Sequence, residues 1–230
     1  MYYIGWDIGI KNLAYCIIDE NKLIKEFNII NLIDDPIVIC CSCSNKNGKP
    51  CKSKASHYGG DIFYCNKHFL QTEPKQKKQI KKIKPPKKCN KYSLEEIGKR
   101  LFNELDNNPL FLECQNIIIE NQPVLLNPTM KSIQIMLYSY FLIKNKNINS
   151  INLVNASNKL KVYKGKLEED IDLKLKAIKD KYRRNKMTAI EHCRIMIIQP
   201  EKLDYFNSHK KKDDLADAFL MCHYLINKSS

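Results

Sequence analysis

Short β-prone runs open the chain, and helical periodicities follow. Tyr2-Tyr3-Ile4-Gly5-Trp6 and Leu13-Ala14-Tyr15-Cys16-Ile17-Ile18 are apolar or aromatic, Asp19-Glu20-Asn21-Lys22 is a polar turn, and Leu23 to Leu32 carries Ile and Phe. This pattern predicts three strands in an antiparallel meander. From Cys40 to Cys89 cysteine, lysine and glycine displace the aliphatic residues, as in an inserted module with its linker. Ser93 with Glu96 has capping-box spacing and starts a helix that runs to about Leu105. Asn116-Ile117-Ile118-Ile119-Glu120 suits a strand buried on both faces. Pro128 to Lys144 predicts a helix whose stripe is Ile133, Met136, Leu137, Tyr140 and Phe141. Ser150 to Val154 is the next strand, and an exposed helix is expected around Glu168 to Arg184. Helices Thr188 to Ile198 and Asp213 to Ile226 close the chain, separated by Pro200 and a lysine-rich turn. Strands first and strand–helix alternation later predict an α/β fold, a mixed sheet with helices on its faces.

At 230 residues the chain has the length of one domain with an insertion, and 43% hydrophobic residues suffice for a core. A formal charge of +14 excludes an acidic solvating chain and points to a polyanionic partner, nucleic acid first. No apolar run approaches the roughly 18 residues that span a bilayer. The opening MYYIGWDIGIKNLAYCIIDE has no basic leader and an early Asp, so neither a membrane nor export is expected. In an intracellular, reducing setting, ten cysteines favour metal ligation over disulfides.

Carboxylates stand where elements end. Asp7 closes the first strand before Ile8-Gly9, where glycine permits a tight turn. Glu120 closes the isoleucine strand, where a carboxylate is costly unless paired or bound to a cation. Asp213-Asp214-Leu215-Ala216-Asp217 opens the last helix, and Asp214 and Asp217 share one helical face. Each acid alone also fits a turn, a loop start or a helix cap. Converging, they would hold two hard divalent cations about 4 Å apart for phosphodiester hydrolysis, and magnesium suits such oxygen ligands.

The order IGWDIGIKNLAYCI, IIIENQP, KKKDDLADAFLMCHYL resembles the RuvC-like Holliday junction resolvases of the RNase H-like superfamily, above all those of poxviruses and other large DNA viruses. The resemblance spans the chain except Cys40 to Lys91 and roughly Lys159 to Arg184. It implies an RNase H-like sheet and a homodimer cutting four-way DNA junctions. It also implies two Mg²⁺, replaceable by Mn²⁺, held by Asp7, Glu120, Asp214 and Asp217, with Asp213 leaving the register open by one. It further implies action at a viral replication site inside the host cell. The expected organisation is a nuclease domain of residues 1–36 and 92–230, a zinc module of 37–70 and a lysine-rich linker of 71–91.

Cys40, Cys41, Cys43, Cys51, Cys65 and His68 crowd a short polar stretch that cannot bury enough apolar area to fold unaided. Cys65-x₂-His68 makes half of a structural Zn²⁺ site. Cys41 and Cys51, in a C-x₉-C run resembling a small viral zinc module, are favoured for the other half. Cys43 is the alternate to Cys41, and Cys40-x₂-Cys43 is a competing half-site. Cys16, Cys114 and Cys222 lie in apolar segments and read as core.

Nine lysines and no acid lie between Pro74 and Lys91, Lys77, Lys78, Lys81 and Lys82 among them. Arg183 with Arg184, and Lys211 with Lys212, form further basic clusters. Lysines without interleaved aromatics contact phosphates and do not read bases, which suits a partner recognised by shape, such as branched DNA. The reading is a Mg²⁺-dependent structure-selective endonuclease resolving four-way junctions. The alternatives are an RNase H-like nuclease acting on RNA–DNA hybrids or flaps, and a non-enzymatic zinc-containing nucleic-acid-binding protein.

Overall fold

In chain order, the elements of this computed structural model are strands β1 (Tyr2–Asp7), β2 (Leu13–Asp19), β3 (Ile24–Ile30), β4 (His57–Gly59) and β5 (Ile62–Tyr64). Next come helices α1 (Asn66–Gln71) and α2 (Pro74–Lys77), strand β6 (Lys81–Lys82), helix α3 (Leu94–Asp106) and strand β7 (Asn116–Glu120). Helix α4 (Pro128–Lys144), strand β8 (Ser150–Val154) and helices α5 (Glu169–Lys176), α6 (Lys181–Met196), α7 (Pro200–Ser208) and α8 (Lys212–Ser229) complete it. The structure describes residues 1–33, 38–40, 49–84 and 88–229. They divide into two compact units, Met1–Ile33 with Tyr92–Ser230, and Asp34–Lys91.

The larger unit is built on a five-stranded sheet of order β3-β2-β1-β7-β8. Asp19 makes the β2–β3 turn, its carboxylate accepting from Leu23 N at 2.9 Å, and so short a link forces antiparallel pairing. β7 instead runs parallel to β1 and to β8, and the β7–β8 link is the α4 crossover. Only β2 opposes its neighbours, which is the RNase H-like arrangement. The capping box forms as read, with Ser93 N donating to Glu96 and Glu96 N to Ser93 Oγ.

Side-chain alternation sorts β1 into two faces. Ile4 and Trp6 point to one, where Trp6 packs on Tyr15, Phe111 and Phe141. Tyr3, Gly5 and Asp7 point to the other, which α8 covers. Leu215, Ala216 and every residue from Ala218 to Cys222 are fully buried, as expected of a helix apolar all round. Gly5 permits the contact: a Cβ there would lie 2.4 Å from the Ala218 carbonyl oxygen. Gly5→Ala is therefore expected to cost roughly 1–3 kcal/mol by overpacking, a fall of several degrees in Tm. Thermal denaturation checks this, and an unchanged Tm would mean that α8 backs away freely.

Three segments differ from expectation. The helix expected around Glu168 to Arg184 is two, because Asp180 caps a new helix by accepting from Arg183 N at 2.6 Å. The helix expected from Thr188 thus begins at Lys181. The turn after Pro200 is helix α7, started by proline at its first position and anchored by buried Phe206. Finally, the expected linker is partly structured: Pro74–Lys77 is helical, and Lys81 and Lys82 pair with Tyr58 and His57 in the sheet β5-β4-β6.

Candidate active site and metal centre

The parallel register places Trp6 opposite Ile119, so Asp7 and Glu120 leave neighbouring strands at the same edge. Ile118 and Glu120 share the face that meets α8, as Gly5 and Asp7 do. Asp214 and Asp217 reach that edge from the first turns of α8. All four acids line one cavity of about 460 Å³. It opens at the carboxyl ends of parallel strands, where α/β proteins commonly place ligands.

The site is crowded with negative charge. Burial, then a hydrogen bond and the charge of Glu120, then Asp217, hold Asp7 well above the ordinary carboxylate range, against the opposing charge of Lys159. Burial also raises Asp214, with Asp213 adding to it. Asp217 is pushed up to about 6, burial outweighing Lys159. Glu120 accepts from Gln122 Nε2 at 3.1 Å, and Gln122 N donates to Oε1 of the buried Gln134 side chain at 2.7 Å.

A largely buried cation, Lys159, stands among the acids. The Lys159 ammonium donates to Asp217 Oδ2 and lies 3.9 Å from Glu120 Oε1. Burial works against its charge, but Asp217, Asp7 and Glu120 outweigh that and raise it. Asp214 Oδ2 is buried and accepts no hydrogen bond, with Lys211 4.0 Å away. Hard oxygen donors with too little compensating charge, one of them an orphaned buried oxygen, fit a divalent cation such as Mg²⁺.

A pH test follows. A carboxyl whose folded pKa is raised stabilises the fold while protonated. That contribution is complete below the ordinary value of 3.8 and is lost as pH rises through about 6 for Asp217. Since a carboxylate binds a cation only when ionised, Mg²⁺ held at this site is expected to raise Tm more at pH 7.5 than at pH 5. Equal shifts at both pH values in thermal melts would contradict this.

Of the acids read from sequence, Asp7, Glu120, Asp214 and Asp217 converge. Asp213 does not line the cavity; it pairs with Lys186 at 2.5 Å, which outweighs burial and lowers its pKa. Lys212 Nζ is spent on the His209 carbonyl at 2.7 Å. Arg183 and Arg184 lie on α6, whose Tyr182, Asn185 and Lys186 line the cavity instead. Lys159 was missed, because it falls in a stretch that the family resemblance leaves uncovered. Its signal was position: it follows β8, a parallel strand ending at the same edge as β7.

In the smaller unit, Cys40, Cys51, Cys65 and His68 are buried with their ligand atoms all within 4.8 Å of one another. Among the described residues no other Cys, His, Asp or Glu group closes so tightly, the carboxylates around Lys159 included. Cys40 N donates to Ser53 O at 2.9 Å and Ala55 N to Val38 O at 2.7 Å, which sets Cys40 beside Cys51. The β4–β5 hairpin leads into Cys65, the N-cap of α1, and His68 follows on its first turn. Three thiols and an imidazole at this spacing fit one tetrahedral Zn²⁺. The favoured ligand Cys41 and its alternate Cys43 lie outside the described residues; among these, Cys40 takes the fourth corner. Lys77 Nζ bonds the Leu70 carbonyl at 2.8 Å, whereas Lys78, Lys81 and Lys82 are exposed. Lysines on β6 also discourage edge-to-edge pairing.

Fold and site together give a mixed five-stranded sheet with the strand order of RNase H-like folds and four carboxylates beside its strand ends. No protein-family profile matches the chain. It is 27% identical, over an alignment of 313 positions, to uncharacterized protein L451 of Acanthamoeba polyphaga mimivirus, covering 98% of this chain and 74% of that protein. It is similar to the yeast mitochondrial Holliday junction resolvase Ydc2, at 16% identity and TM-score 0.47, over 97% of this chain and 78% of that one. It is also similar to T. thermophilus RuvC in complex with Holliday junction substrate, at 9% identity and TM-score 0.46, over 100% and 95%. No helix of the described residues is long and apolar enough to cross a membrane.

Proposed function

We propose that this chain is a divalent-metal-dependent, structure-selective DNA endonuclease that resolves four-way junctions. The observation that carries the proposal is the meeting of Asp7, Glu120, Asp214 and Asp217 in one cavity. These are the four positions that the resemblance to RuvC-like resolvases picks out. They would hold Mg²⁺, with Mn²⁺ as a substitute. Bound there, the metal supplies charge neutralisation for a scissile phosphate and an activated water.

The chain's own groups prepare the site. Gln122 orients Glu120, and Gln134 anchors Gln122. Lys159 keeps its proton at Nζ and offsets the repulsion of three carboxylates until phosphate and metal arrive. Lys186 holds Asp213 aside, so Asp214 is the member of the pair that faces the cavity. Lys78, Lys81, Lys82, Arg183 and Arg184 add phosphate contacts that weaken as salt rises and do not read sequence. Zn²⁺ on Cys40, Cys51, Cys65 and His68 is structural, since four protein ligands leave no open position. The working form is a homodimer matching the two-fold symmetry of a junction. Its similarity to a mimivirus protein supports a role in viral DNA replication within a host cell.

Cleavage with Mg²⁺ of a four-way junction, a flap, an RNA–DNA hybrid and plain duplex tests the reading. Paired symmetric cuts in the junction are expected. Preference for the hybrid or flap would mean a different RNase H-like nuclease. Binding with no cutting of any substrate would leave a zinc-containing binding protein.

A further inference from the structure

Tyr182 is an aromatic side chain at the acidic cavity that stays largely open to solvent. It is 69% exposed, against 38% or less for Tyr58, Phe102 and Tyr205, yet it lines the cavity with Asn185 and Lys186. The three stand at i, i+3 and i+4 on α6 and so share one face. Further along the same face, Ala189, His192 and Cys193 are buried, which fixes the helix and the direction in which this face points. Lys186 steadies the ring: its Nζ lies 5.1 Å from the ring centroid while paired with Asp213 at 2.5 Å. Single exposed aromatics are ordinary on a surface. This one sits on the rim of a cavity of about 460 Å³, the size of small-ligand sites and more than a lone metal pair requires.

We propose that Tyr182 and Asn185 form a nucleobase subsite. The ring stacks on a base that has left its strand's stack beside the scissile phosphate, and the Asn185 amide meets that base's edge. Every base has a π face, so stacking selects unstacked nucleotides with little regard to sequence. That would favour branch points over continuous duplex. The inference rests on the nuclease reading of the acids and adds a substrate feature to it.

The test uses four-way junctions with 2-aminopurine placed in turn at each position flanking the crossover. They are bound, without Mg²⁺, to wild type, Tyr182→Phe and Tyr182→Leu. Wild type and Tyr182→Phe are expected to quench the probe at one position, and Tyr182→Leu to leave it bright. On unmodified junctions Tyr182→Leu should weaken binding about 5- to 150-fold, the equivalent of ~1–3 kcal/mol for one stacked base. With an abasic nucleotide at that position, wild type should fall to the level of Tyr182→Leu, which should lose nothing more. Quenching at no position, equal quenching by Tyr182→Leu, or equal losses on the abasic junction would overturn the subsite. Wild type that quenches but cuts nothing in Mg²⁺ would overturn the nuclease reading and leave the subsite standing.

Discussion

Asp7→Asn is expected to abolish junction cleavage, by on the order of a thousandfold or more, while junction binding survives. The side chain keeps its shape and loses the charge that a cation needs, and affinity resides in lysines and arginines elsewhere. Burial and Glu120 already press Asp7 toward its neutral form, so the amide should cost no stability in Mg²⁺-free buffer and should raise Tm. A melt alongside the cleavage assay thereby separates a lost ligand from a lost fold. Glu120→Gln and Asp217→Asn should behave alike. Asp214→Asn should hurt more than Asp213→Asn, because Asp214 lines the cavity and Asp213 is tied to Lys186. Wild-type-like cutting by Asp7→Asn would remove it from the site, and a reversed order for the aspartate pair would shift the register by one.

Without a metal on Cys40, Cys51, Cys65 and His68, residues 38–40 and 49–84 should unfold while the larger unit stays intact. The described residues buried in that unit are Cys40, Cys51, Ala55, Cys65 and His68, so among them the interior is the ligand set plus one alanine. Among the described residues no apolar core remains to hold β4, β5, β6, α1 and α2 once the ligands part. Zinc binding in such modules is worth about 10–16 kcal/mol, far more than any contact seen here could replace. Purified protein should carry about one zinc per chain by elemental analysis, the stoichiometry of one four-ligand site. His68→Ala should lose it. Hydrogen exchange should then show residues 49–84 unprotected and β1, β7 and α8 still protected. Protein prepared without chelator that lacks zinc, yet protects that unit, would refute the metal's role.

Much of the architecture was legible because its causes are local. A triple isoleucine bounded by polar residues can only be comfortable in the middle of a sheet, and 117–119 form the buried centre of β7. Ser93 and Glu96 satisfy each other's backbone within one turn, so the α3 start needed no tertiary information. The helix start at Asp180, the helix at Pro200 and the strand at Lys81–Lys82 were not legible for the converse reason. Their caps and pairings compete with charge-rich composition, which alone resembles one exposed helix, a turn and a linker.

By itself the sequence determined which chemistry was present: acids at the ends of elements, thiols and an imidazole too close together for chance, and cations in excess. Tertiary structure alone decided which of these groups meet. Adjacent aspartates on a helix point about 100° apart, and only the seating of α8 on Gly5 turns Asp214 to the cavity and Asp213 to Lys186. Neighbouring cysteines are just as ambiguous in one dimension, and pairing of residues 38–40 with 53–55 brings Cys40 to the cluster. Lys159 and Tyr182 join the acids only because β8 lies parallel to β7 and α6 packs on α8. Periodicity and propensity act over a few residues, whereas a site assembled from five elements depends on strand register and on the absence of a single Cβ.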